Sequence, residues 1–112
     1  MILEAAMLQV KVGQEALFEA SFRKASAIIS SMPGYIIHEL HRCMEVDGKY
    51  LLLVRWETLE DHTIGFRGSQ QYLEWKQLLH HYYEPFPTVE HFEQVSLTSA
   101  PQTTHTPSSE TL

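Results

Sequence analysis

The chain opens on an alternation. In "ILEAAMLQVKV", residues 2 to 12, the apolar side chains Ala6, Leu8, Val10 and Val12 occupy every second position. That is the spacing of a strand with one buried face. Gly13 interrupts it, and between Gln14 and Ser31 the period lengthens. Phe18, Phe22, Ala25, Ile29 and Met32 follow one another at steps of four and three, a single apolar stripe along a helix. Met32-Pro33-Gly34 ends that helix, because proline cannot continue the backbone ladder and glycine tolerates the turn. Two strands are predicted next, Tyr35 to Val46 and Lys49 to Glu57, joined at Asp47-Gly48, a strong hairpin signal. Thr58 is placed to cap a short helix, with Glu60 and Asp61 in a first turn that favours acids and with Leu59, His62 and Phe66 on one side. Gly68 and Ser69 break and restart it. Tyr72, Trp75, Leu79 and Tyr82 form the stripe of the next helix, Pro85 and Pro87 close it, and a last strand is predicted from Thr88 to Leu97.

The order β-α-β-β-α-β predicts an α+β protein of ferredoxin-like build, with an antiparallel four-stranded sheet and helices on one face. The other sheet face carries apolar residues of its own, which predicts a homodimer in which two sheets meet. Residues 1–97 make up the predicted domain. The segment from Thr98, "TSAPQTTHTPSSETL", is nearly devoid of apolar side chains. It cannot bury enough surface to offset its ordering entropy, so 98–112 is expected to be a disordered tail.

Composition narrows the partners. The 112 residues suit one domain, and a hydrophobic share of 44% is enough for a core. A formal net charge of −6 without a basic run argues against nucleic acid. No apolar run reaches the ~18 residues a membrane span requires, and the first residues lack the basic region of a leader. The single cysteine, Cys43, has no internal partner and is read as a small packed side chain. A reducing, cytoplasmic setting fits that count.

The segment "YIIHELHR", residues 35 to 42, looks at first like a damaged zinc-protease motif. Such a motif works on a helix, where histidines four apart share a face. Here His38 and His41 are three apart on a predicted strand, so they point to opposite faces and no metal site is expected. Parity puts His38, Leu40, Arg42 and Met44 on one face, taken as the dimer side. Tyr35, Ile37, Glu39, His41 and Cys43 take the other. With a two-residue turn at Asp47-Gly48, Cys43 faces Leu52, His41 faces Val54 and Glu39 faces Trp56. Glu39 is then either a carboxylate with raised pKa in an apolar pocket or simply an acceptor for the indole N–H. His80 and His81 suit a helix C-terminus, and His91 is read as strand surface.

From "MPGYIIHELHR" through the hairpin to "LLLVRWETLEDHTIGF", the chain resembles the antibiotic biosynthesis monooxygenase (ABM) domain family over residues 1 to 97. The matching features are Pro33-Gly34, Glu39-Leu40-His41-Arg42, Trp56 and His62. The resemblance implies a dimeric α+β barrel with a pocket between sheet and helices. It also implies oxidation of a small aromatic (quinol, phenol or anthrone) by O2, with no cofactor. His62 becomes the candidate base or donor, since imidazole titrates near neutrality, with Glu39 assisting it. Trp56, Phe66, Tyr72, Trp75 and His41 become candidate substrate-binding residues. The plainer alternatives are a surface histidine for His62 and core packing for the aromatics. The haem-degrading branch of similar fold uses a first-strand asparagine and an axial histidine. This chain has no asparagine, and "EWKQLL" precedes His80 without a histidine, so that chemistry is disfavoured. Two other functions remain open: a non-catalytic module that binds a small aromatic, and a structural dimer whose pocket is filled by Phe18, Phe22, Trp56, Phe66 and Trp75.

Overall fold

The opening alternation becomes β1, Ile2–Gln9, an inner strand of a four-stranded antiparallel sheet. The computed structural model describes residues 1–98, so the tail expectation falls outside the described residues from 99 onward. After β1 come α1 (Glu15–Ser30), β2 (Tyr35–Arg42), β3 (Lys49–Trp56), a π-helical turn (Asp61–Phe66), α2 (Gln70–Leu79), a 3-10 turn (His80–Tyr82) and β4 (Val89–Phe92). The sheet order is β2-β3-β1-β4, which leaves β2 and β4 at the edges.

Alternate residues of the inner strands point toward the helices. Ala6, Leu8, Tyr50, Leu52, Val54 and Trp56 are all buried there, against Phe18, Phe22, Ala25 and Ile29 of α1 and Trp75 and Leu79 of α2. The helical stripe read from the sequence is thus the stripe that is buried. Among the described residues no helix is long and apolar enough to cross a membrane.

Three boundaries differ from the sequence reading. β1 stops at Gln9; Val10 makes an isolated bridge to Tyr83, and Val12 is exposed. The last strand ends at Phe92 rather than Leu97. Phe92 lies opposite Leu3 in antiparallel register, so only Glu93 would still face a residue of β1, and a strand continued to Leu97 would run beyond it. The third difference matters most. The β2–β3 connection is the six-residue segment from Cys43 to Gly48, not a two-residue turn, and Arg42 pairs with Tyr50. Leu40 therefore faces Leu52, and His38 faces Val54. The register is shifted by an odd number of residues, which turns the side chains of β2 from Ile37 to Arg42 to the other face.

Physical reasons favour the observed register. It brings Leu40 against the core and sends Glu39 outward. It also lets Arg42 donate from Nη2 and Nε to Glu19 Oε2 on α1, at 2.7 and 3.2 Å, where Tyr50 Oη donates to the same oxygen at 2.6 Å. An irregularity between Tyr35 and Ile37 then restores Tyr35 to the helix side, opposite Trp56.

Pro33-Gly34 has a specific role in this arrangement. Gly34 sits at φ +83, and a Cβ there would lie 2.2 Å from Cγ of Asp61. Its carbonyl also accepts from Glu57 N–H at 2.7 Å. The loop after α1 is thereby laid directly against the start of the π-helical turn. Gly34→Ala combines left-handed backbone strain with a clash against a hydrogen-bonded carboxylate. It is expected to lower stability by about 2 kcal/mol. Urea unfolding of the variant measures this, and an unchanged midpoint would remove the packing role assigned to Gly34.

Candidate active site

Glu4 is in phase with Ala6 and Leu8 on β1, so the alternation that buries those two buries a carboxylate as well, at 5% exposure. It lies opposite Val54 on β3 and His91 on β4. Trp56, two residues beyond Val54, donates its indole N–H to Glu4 Oε1 at 2.9 Å. His62 approaches the same oxygen with Nε2 at 3.3 Å, and its Nδ1 is 2.8 Å from His91 Nε2. The His62 ring stacks on Trp56 at 5.5 Å between centroids and 24° between planes.

The π-helical turn delivers His62 to this place. Thr58 and Asp61 cap it reciprocally: Thr58 N–H donates to Asp61 Oδ2 and Asp61 N–H to Thr58 Oγ1, each at 3.1 Å. Arg67 N–H then reaches five residues back to the His62 carbonyl at 3.1 Å. Wide winding of this kind is rare and is found mostly at functional sites. It buries His62 and Phe66 together while leaving Ile64 outside.

Between the sheet and α2 lies a cavity of about 350 Å3, within the range of small-molecule sites. Ala6, Leu8, Leu52 and Leu79 supply its apolar wall. Glu4, His62, Arg67, Tyr72, His80 and Tyr83 supply its polar atoms. Phe18, Phe22, Trp56, Phe66 and Trp75 do not fill this space, which counts against the purely structural reading.

The electrostatics follow from burial. The Glu4 carboxyl is pushed up to about 7, chiefly because burial penalises the anion, with the Trp56 N–H and the Arg67 charge opposing the rise. Burial, with Arg67 and His91 nearby, pulls His62 down to about 3, so its ring is neutral at neutral pH. Burial also raises the Tyr72 and Tyr83 hydroxyls and keeps them protonated. Arg67 makes no ion pair among the described residues and contributes a positive field at the cavity wall.

The residues singled out from the sequence separate into three groups. His62, Tyr72 and Trp75 line the cavity. Trp56 and Phe66 lie directly behind that lining, Trp56 against His62 and Phe66 at 5.2 Å from Tyr72 and 5.6 Å from Trp75. Glu39 and His41 are elsewhere. Contrary to the expected pairing, Glu39 faces Leu53 and His41 faces Leu51 on the outer sheet face, where Glu39 Oε1 and His41 Nε2 bond each other at 2.6 Å in solvent. The carboxylate beside Trp56 is Glu4. His38 and Arg42, expected on the outer face, point toward α1 instead and contact Ser26 and Glu19. The sequence reading passed over Glu4, Arg67 and Tyr83 and left His91 as surface. For Glu4 the signal was present, since it stands in the same alternation as Ala6. Among the described residues no cluster of three or more His, Cys, Asp or Glu is arranged to hold a metal ion.

Comparison with known proteins bears on the family and the fold. A family model described as antibiotic biosynthesis monooxygenase matches residues 1–78. The chain is 65% identical over 95 residues to the uncharacterized protein YczJ of Bacillus subtilis (strain 168), an alignment that covers 85% of this chain and 100% of YczJ. A crystal structure described as a proposed antibiotic biosynthesis monooxygenase of Bordetella bronchiseptica superposes with a TM-score of 0.81 at 35% identity, covering 85% of this chain and 97% of that one. SnoaB of Streptomyces nogalater, a cofactor-independent oxygenase, shares the fold with a TM-score of 0.68 at 21% identity, covering 90% and 97%.

Proposed function

We propose a function from one premise: the chain belongs to the antibiotic biosynthesis monooxygenase (ABM) family. The proposed reaction is the oxidation of a small aromatic of the quinol, phenol or anthrone type by O2. The observation that carries it is a buried carboxylate, pushed up to about 7, on the wall of a cavity lined by aromatic side chains. A general base works best when its pKa is close to the operating pH. Glu4 meets that condition, whereas His62 at about 3 does not. In this reading Glu4 takes the proton and His62 holds Glu4 in place.

The chemistry asked of the protein is small. Glu4 removes a proton from the ring-activated C–H or O–H, and Arg67 and the tyrosine hydroxyls stabilise the resulting anion in a site that excludes water. The electron-rich anion then reduces O2. For an anthrone-type methylene the balance is one CH2 and one O2 giving one C=O and one water. The substrate supplies all the electrons, so no further reductant enters. The outer sheet face, with Leu3, Met7, Ile37 and Leu53 left uncovered or half-covered in a single chain, is where a second copy would pack in the proposed homodimer.

Oxygen uptake with a panel of anthrones, quinols and polyphenols tests the reading. One O2 is expected to be consumed per anthrone oxidised. Thermal stabilisation by these compounds without uptake would replace the oxygenase with a non-catalytic binding module. Neither stabilisation nor uptake would discard both.

A further inference from the structure

We propose that His91 is a positioning residue that selects the tautomer of His62 and so holds Glu4 ready as a base. This rests on the reading of Glu4 as the base. It begins from a constraint of hydrogen-bond chemistry. His62 Nδ1 and His91 Nε2 are 2.8 Å apart, and between two ring nitrogens one proton must be shared, one nitrogen donating and the other accepting. The other nitrogen of His62 faces Glu4 Oε1 at 3.3 Å. The two contacts are therefore coupled through one neutral ring.

With the His62 ring neutral and any carboxyl proton of Glu4 carried on Oε1, two arrangements satisfy both contacts. In one, His91 Nε2–H donates to His62 Nδ1, His62 Nε2–H donates to Glu4, and the carboxylate is ionised. In the other, every direction is reversed: a protonated Glu4 donates to Nε2, and His62 Nδ1–H donates to His91. The first arrangement gives the carboxylate two N–H donors, from Trp56 and His62, and is competent to accept a proton. The second is its protonated counterpart. His91 as donor selects the first.

Position supports the role. His91 lies directly opposite Glu4 across the β1–β4 pairing, on the same face of the sheet. It does not line the cavity, so it acts through His62 and not on substrate. The other groups facing this cluster are Arg67 at the end of the π-helical turn and Tyr72 from α2. Burial raises the Tyr72 hydroxyl, and neither side chain hydrogen-bonds His62 among the described residues, so neither takes over the selection.

Two variants separate positioning from packing. His91→Gln keeps an amide N–H that can donate to His62, and His91→Leu keeps bulk but no donor. In the wild type at pH 8, histidine 15N shifts are expected to show His62 protonated at Nε2 and bare at Nδ1. In His91→Leu the Nε2–H preference is expected to weaken, because only the Glu4 carboxylate then favours a proton on Nε2. The Glu4 carboxyl 13C titration should then move up by about one pH unit, as loss of a donor to a carboxylate implies. His91→Gln should restore both. The alkaline-rising limb of the activity profile should move by the same amount. A His62 protonated at Nδ1 in the wild type at pH 8, or a Glu4 titration unmoved in His91→Leu, overturns the proposal. Absence of turnover in the wild type would strike the oxygenase reading alone, since both NMR readouts need no substrate.

Discussion

Glu4→Gln is expected to abolish oxygen uptake while making the protein more stable at pH 8 by about 3 kcal/mol. The two effects share one cause. The Glu4 carboxyl rises from 4.5 to about 7 in the folded state because burial disfavours the anion. Between those values the folded chain binds more protons than the unfolded one. The stability tied to this group is therefore full below pH 4.5 and is lost as pH rises through 7. At pH 8 the wild type carries the whole cost of an ionised, buried carboxylate. Glutamine is neutral throughout, keeps an oxygen to accept from Trp56 and removes the base. His62 works in the opposite sense, its stability present above 6.5 and lost as pH falls toward 3, but it is common to both proteins and cancels to first order in the comparison. Urea unfolding of both proteins at pH 4 and pH 8 is the measurement. The curves should nearly coincide at pH 4 and separate at pH 8. Equal stability at both values would mean that Glu4 is not held against its ionised form, and the base would have to be sought elsewhere.

Trp56→Ala is expected to be the most destabilising single change, at about 3–5 kcal/mol. Trp56 is completely buried, packs against Tyr35, His62 and Phe66, and supplies the indole N–H that Glu4 accepts. A loss of that size is a large part of the roughly 5–15 kcal/mol that holds a small domain together. Trp56→Phe divides the two contributions. Most of the packing survives, but Glu4 loses one of its two N–H donors, so its pKa should climb further and the activity profile should move to higher pH. Thermal melts report the first effect, at about 4–8 °C for each kcal/mol. The pH dependence of oxygen uptake reports the second. A Trp56→Phe profile that overlays the wild type would show that the indole contributes only bulk.

The helical stripes were legible because every apolar position obeyed one period: Phe18, Phe22, Ala25 and Ile29 are buried as their spacing requires. The fold class followed from the order of elements and is matched by the solved structures. The register of β2 was not legible. Asp47-Gly48 is a true turn signal, with Gly48 at φ +77, but the chain uses it inside a wider connection. Local turn preference is worth little beside burial of Leu40 and the Arg42–Glu19–Tyr50 contacts, which join residues far apart in sequence. The error carried Glu39 into the site and left Glu4 out. Tyr72 was placed by the helical stripe it shares with Trp75 and Leu79, whereas His62 was singled out by the family resemblance and by the chemistry of imidazole. Arg67 was not, since a charged side chain after a buried turn has no periodic signature. The His62–His91 contact depends on β4 lying beside β1, which no local pattern shows.

β4 contributes four residues and pairs with a single neighbour, from Val89 opposite Ala6 to Phe92 opposite Leu3. An edge strand so short belongs to the low end of the range of local opening free energies. Its amides should exchange with solvent faster than those of β1 and β3. Each opening would separate His91 from His62 while Trp56, Phe18 and the rest of the core stay packed. The electrostatic setting of a deeply buried carboxylate is thus tied to the fraying of the least anchored strand, and the fluctuations of β4 set how often Glu4 has its full complement of donors.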